Sequence, residues 1–256
     1  MKIELVTLEV PFLHLENPAA RESFMDMQRV RAAAYRADFG DHYMPFDTSD
    51  FVARHHLFYV QTESGREPVA AFKQVALATC DAHGLELPAL GIFRGRSPEH
   101  VEALSELILE HRRSGRHLLY GGSWGVRGEY RRNRKLFAGL SELVAALIAD
   151  DALRAAPATA IGIGLEPKTM RFWARMGYEP LLHRGQSLPK VAYSEPGEEI
   201  VLISLTEPSP WALECRERQR QVLEDRRSFP PRAPSTGADG VPAEGVKEPV
   251  SAPRVV

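Results

Sequence analysis

Residues 118–148 read LLYGGSWGVRGEYRRNRKLFAGLSELVAALI, and this stretch decides the fold class. Leu118 to Val126 reads as a strand and Arg127-Gly128-Glu129-Tyr130 as a turn. The rest is a helix that places Leu136, Leu140, Leu143, Val144, Leu147 and Ile148 on one face. Downstream, Thr159 to Gly164 predicts a short buried strand. Glu166-Pro167 opens a helix in which Met170 and Trp173 lie one turn apart, and Gly177 supplies a left-handed stop. Glu199 to Leu205 is a last strand.

Upstream, Ser97-Pro98-Glu99 starts a helix with its buried stripe on Val101, Leu104, Leu107 and Ile108, ending before Gly115. His56 to Thr62 and Val69 to Thr79 read as a hairpin, with Cys80 an apolar filler at its end. Asn17-Pro18 caps an earlier helix carrying Phe24, Met27, Val30, Arg31, Ala34 and Tyr35, and Gly40 ends it. Ile3 to Val10 alternates weakly as a strand. Helices interleaved with strands in this order predict an α/β fold around a mixed sheet.

Composition bounds the function. The chain has 256 residues, 32 basic against 34 acidic, which weighs against bulk nucleic-acid binding. The densest apolar run, Leu143 to Ala149, falls well short of the ~18 residues of a membrane span. Met1-Lys2-Ile3-Glu4-Leu5 carries acid where a signal peptide wants a basic region, so a cytoplasmic protein is expected. Two cysteines, Cys80 and Cys215, build neither a disulfide framework nor a zinc site, and His55 and His56 point to opposite faces of a strand, so no metal is expected. From Phe229 onward prolines and glycines punctuate the chain. This predicts one folded unit over 1–205 and a largely disordered tail over 206–256, with 211–227 at most a short helix.

The chemistry is sought at Arg131, Arg132, Arg134 and Lys135. They gather at the amino terminus of the Leu136 helix, where the dipole disfavours cations by about 0.3–1 kcal/mol each. Such a cluster makes sense around an anion, and a phosphate or pyrophosphate is the natural one. The bland alternative is a solvated basic turn. No Walker or Rossmann glycine pattern fills the strand-to-helix turn, and no interleaved aromatic platform accompanies it for RNA.

Val126-Arg127-Gly128-Glu129-Tyr130-Arg131, followed by Glu166-x-x-Thr169-x-x-Phe172-Trp173-x-x-x-Gly177-Tyr178, resembles the acyl-CoA-binding core of the GNAT superfamily of N-acetyltransferases. The resemblance covers about residues 20–205 and implies a mostly antiparallel central sheet flanked by helices. It also implies donor-binding residues at Trp124, Val126, Arg131, Arg132, Asn133, Arg134 and Lys135. The superfamily's glycines at the helix start are replaced by Arg and Lys, and its proton-donating tyrosine by Trp173. Loss of those glycines resembles the branch of autoinducer synthases and long-chain N-acyl amino acid synthases, which draw acyl groups from acyl carrier protein. Arg31-x-x-x-Tyr35, Phe39-Gly40 and Asp47-x-x-Asp50 are similar to that branch's amino-terminal motifs. The branch's Ser-Arg pair falls near Gly122-Ser123 without its arginine, which counts against lactone synthesis.

The resemblance implies an N-acyltransferase moving an acyl group from acyl-CoA or acyl carrier protein directly to an amine. The amine must lose a proton, for which Glu129, Glu166, Asp47 and Asp50 are candidate bases. Tyr120 and Ser123 are candidate proton carriers on the central strand. A backbone N–H around Trp124 to Val126 would face the oxyanion. Arg31, Tyr35, Asp47, Asp50 and Trp173 are the implied substrate contacts. The alternative is a module of the same fold that binds acyl-phosphopantetheine or a protein partner without turnover.

Overall fold

A computed structural model describes residues 2–40, 46–63, 65–166, 169–193 and 198–230. The expected disorder of 231–256 lies outside the described residues. In chain order the strands are β1 (Ile3–Glu9), β2 (Arg54–Thr62), β3 (Gly65–Ala76), β4 (His117–Val126), β5 (Ala158–Glu166), β6 (Glu179–Pro180), β7 (Leu182–His183), β8 (Gln186–Ser187), β9 (Val191–Ala192), β10 (Glu199–Leu205) and β11 (Arg227–Phe229). The helices are α1 (Pro18–Phe39), α2 (Leu77–Ala82), α3 (Pro88–Phe93), α4 (Pro98–Ser114), α5 (Gly128–Arg131), α6 (Arg134–Arg154), α7 (Met170–Met176), α8 (Pro210–Arg218) and α9 (Arg220–Glu224).

The main sheet runs β11-β1-β2-β3-β4-β5-β10-β6, with β9 also paired to β10. Its described pairings are antiparallel except β11 with β1 and β4 with β5. Alternation along the strands sorts side chains onto two faces. Leu5, Phe58, Val60, Phe72 and Val126 join the core under α6, α7 and α8. Val6, Leu8, Leu57 and Ala71 pack under α1, while Leu118, Tyr120, Ile161, Ile200 and Leu202 pack under α2–α4.

Local signals explain the helix ends. Asn17 Oδ1 accepts hydrogen bonds from the N–H groups of Ala19 and Ala20, and Asn133 Oδ1 accepts one from Leu136 N–H. Gly177 stops α7 at φ +104, with no room for a Cβ against the backbone of Glu207 and Ser209.

Strand β4 is irregular on both of its edges. It pairs with β5 only from His117↔Ala158 to Gly121↔Gly162, yet both strands run on, so the sheet splits there. On its other side Lys73 pairs with Gly122 and Ala71 with Gly125, so two residues, Ser123 and Trp124, oppose the single Phe72. That is a β-bulge, and Ser123 sits in it at φ +52.

Several sequence expectations are corrected. The folded unit does not end near Leu205: α8 packs on α6, and β11 adds a strand beside β1. The physical reason is visible in α6. Leu143 to Asp151 is buried on every side, and a helix apolar all round needs cover on both faces. β3 ends at Ala76 rather than Thr79, and buried Cys80 lies in α2 instead of closing a strand. Glu166 does not open a helix; it is the last residue of β5, and α7 begins at Met170. Arg131 and Arg132 belong to the turn around α5, ahead of the α6 start.

Candidate functional site

The split between β4 and β5 opens into a cavity of about 420 Å³, within the range of small-molecule sites. It lies mainly on the sheet face covered by α1 and α3, and reaches through the split to Phe137 of α6 and Trp173 of α7. One end is polar, with Arg31, Asp47, Lys73, Tyr120 and Ser123. The other is apolar, with Pro88, Ile92, Ile163, Leu165, Ile200 and the ring of Tyr193.

Beneath the polar end lies a buried charge network. Arg31, on the inner face of α1, donates to Asp50 Oδ1 at 2.5 Å and to Ser123 Oγ at 3.1 Å. Lys73 of β3, only 1% exposed, places Nζ 2.9 Å from Asp50 Oδ1 and 3.0 Å from Asp47 Oδ2. Asp47 and Asp50 are held by a capping box around the turn Thr48–Phe51, where Asp47 N–H donates to Asp50 Oδ2 at 2.9 Å. Burial alone would raise the Asp50 carboxyl, but the charges of Arg31 and Lys73 outweigh it and hold the group below its ordinary value. His55 donates Nε2–H to the Asp50 carbonyl at 2.7 Å. Its burial lowers the imidazole to about 4, against the pull of Asp50, so it is neutral at pH 7.

The expected site residues divide sharply. Arg31, Tyr35, Asp47, Tyr120, Ser123, Trp124, Val126, Arg131 and Trp173 all line the cavity. Asp50 lies below the lining, spent on two cations. Glu129 is exposed and paired with Arg127, and Glu166 faces Lys190 at 3.4 Å, so neither candidate base borders the cavity. Arg131 is turned inward, donating from Nε to the Val126 carbonyl at 2.7 Å and from Nη2 to the Ala34 carbonyl at 3.3 Å. It braces α1 against the end of β4. Asn133 is the α6 cap. Arg132, Arg134 and Lys135 remain exposed around the α6 start, beside the cavity-lining Phe137.

Lys73 was missed from sequence. A single lysine inside an apolar strand, Val69-Ala70-Ala71-Phe72-Lys73-Gln74-Val75, was the available signal, since a buried lysine requires a paired carboxylate.

Among the described residues no cluster of His, Cys, Asp or Glu could hold a metal ion, and no helix is long and apolar enough to cross a membrane. No protein-family model matches the chain, and no curated protein does. Among solved structures it is similar to FeeM, an N-acyl amino acid synthase from uncultured soil microbes. The two share 13% identity over 87% of this chain and 98% of that one, at a TM-score of 0.46.

Proposed function

We propose that the chain is an N-acyltransferase that takes an acyl group from a phosphopantetheine thioester and passes it directly to an amine. The observation that carries this reading is the cavity threading the β4–β5 split. It offers an apolar arm for an acyl chain, a polar end for a second substrate, and exposed cations at the α6 side for a phosphate.

In this account the amine nitrogen attacks the thioester carbon, the C–S bond breaks, and the thiolate leaves. The proton lost by the amine ends on the thiol, so amide and free thiol are the products. Asp47 supports the role of proton acceptor: among the described residues it is the carboxylate that lines the cavity, its side chain is 52% exposed, and Lys73 fixes it. The stretch of β4 after Gly121, which has parted from β5 and is bulged at Ser123 against β3, supports an oxyanion contact from a backbone N–H near Trp124.

The donor reading favours acyl carrier protein over CoA. Asn133 Oδ1 already occupies the Leu136 N–H, which leaves less backbone to cradle a diphosphate, so cationic side chains would hold a single phosphodiester instead. The test is thiol release from acyl-CoA and acyl carrier protein panels against mixed amines, with the amide identified by mass. Amine-dependent thiol release is expected. Tight binding with no turnover would replace this reading by that of a binding module.

A further inference from the structure

Strand register fixes the direction of the apolar arm. Leu165 on β5 lies opposite Ile200 on β10, and Ile200 lies opposite Val191 on β9, two residues before Tyr193. The arm therefore crosses the sheet sideways from the split, over two further strand spacings of about 4.8 Å each. Ile163, Leu165 and Ile200 form its floor, while Pro88 and Ile92 of α3 stand over it. Tyr193 is the outermost lining residue in this direction, half-buried, and the exposed guanidinium of Arg96 sits 5.3 Å from its ring centroid on the loop into α4.

We propose that the Tyr193 ring, backed by Arg96, is the end wall of the arm and sets the longest acyl chain the protein accepts. The inference rests on the acyltransferase reading. An aromatic ring suits an end wall because it is rigid, it presents an apolar face inward, and a cation–π contact from outside holds it in place. Burial of each added methylene should raise affinity until the chain meets the ring, and gain nothing beyond it. Ile92, on the over-standing helix, narrows the arm without ending it.

The experiment measures binding of S-acyl-4′-phosphopantetheines of increasing saturated chain length to the full chain, in the absence of amine. For the unaltered protein, affinity is expected to climb about fourfold per methylene, the factor equivalent to about 0.8 kcal/mol of burial, and then to level off abruptly. Tyr193→Ala should move that break at least two methylenes longer, Arg96→Ala should move it less, and Tyr193→Phe should leave it in place. If Tyr193→Ala melts early, Tyr193→Leu is read by the same criterion. A break that stays put in a folded Tyr193→Ala protein overturns the end-wall assignment and leaves the transferase reading intact. Affinity independent of chain length in the unaltered protein overturns both.

Discussion

Lys73 Nζ lies 2.9 Å from Asp50 Oδ1, with both side chains almost wholly removed from water. Asp50 holds Arg31 with the same oxygen, so one buried carboxylate offsets two buried cations. Removing it takes the shared buried carboxylate from both cations, leaving Lys73 only the half-exposed Asp47, whereas removing Lys73 leaves Asp50 still paired with Arg31. Asp50→Asn is expected to destabilise the protein by about 3–5 kcal/mol, and Lys73→Met by clearly less. Urea unfolding of the two variants measures this. Equal losses would mean that the network does not centre on Asp50.

Acid should weaken the fold in a defined window. His55 is fully buried and depressed to about 4, and His56, also fully buried, is held well below 6.5 by burial and by the charge of Arg54. The unfolded chain takes up these protons near 6.5 and the folded one does not. Stability is therefore complete above about 6.5 and declines as pH falls toward 4, by at most about 1.4 kcal/mol per pH unit for each histidine. Melting temperatures between pH 7.5 and pH 4.5 test the sign, and a flat profile would contradict it.

Ser123 combines a left-handed backbone, φ +52, with a hydroxyl that accepts from Arg31. Ser123→Gly should relieve the strain, leaving stability unchanged or up to about 1–2 kcal/mol higher, while turnover falls because Arg31 loses a tether. Ser123→Ala keeps the strain and should lose turnover as well. Unfolding measurements alongside the thiol-release rate separate these effects, and full activity in both variants would remove Ser123 from the site.

The exposed cations at the α6 start should act on the donor alone. Arg132→Ala with Arg134→Ala is expected to weaken carrier binding more than tenfold, and increasingly so at low salt. Arg112→Ala with Arg113→Ala, at the far end of α4 where Arg112 pairs with Asp81, should change it little. Surface binding measurements with acylated carrier protein make the comparison. Small, equal effects would reduce the basic turn to a solvated surface.

The carboxyl-terminal elements should be required for folding. Asp150 of α6 is buried and bonded by Arg154 and by Arg216 of α8, with Arg226 at 3.9 Å, so ending the chain at Leu205 strips two of its cationic partners and uncovers an apolar helix face. That truncation is expected to yield protein without a cooperative thermal transition. A sharp transition near that of the full chain would contradict it.

What the sequence revealed and what it hid have physical causes. Strand Glu199 to Leu205, the cap at Asn17 and the stop at Gly177 were legible because period, cap chemistry and left-handed glycine are local. Arg31, Asp47 and Ser123 were legible only through resemblance, since nothing local says that α1, a turn and β4 converge. Lys73 and the end of the fold were hidden for the same reason: a buried cation and an all-round apolar helix name the need for a partner without naming it. Glu129 and Glu166 were attractive as acids near a basic helix start, yet surface ion pairs take them both.

An acyl thioester bound as proposed lies in the β4–β5 split with its phosphate at the start of α6. Amide chemical shifts, followed while S-decanoyl-4′-phosphopantetheine is titrated into the full chain without amine, address it most directly. Saturating shifts confined to Trp124–Val126, Ile163–Leu165, Ile92, Ile200 and Arg134–Lys135 are the predicted result. Shifts scattered over the surface, or none at millimolar ligand, would contradict it.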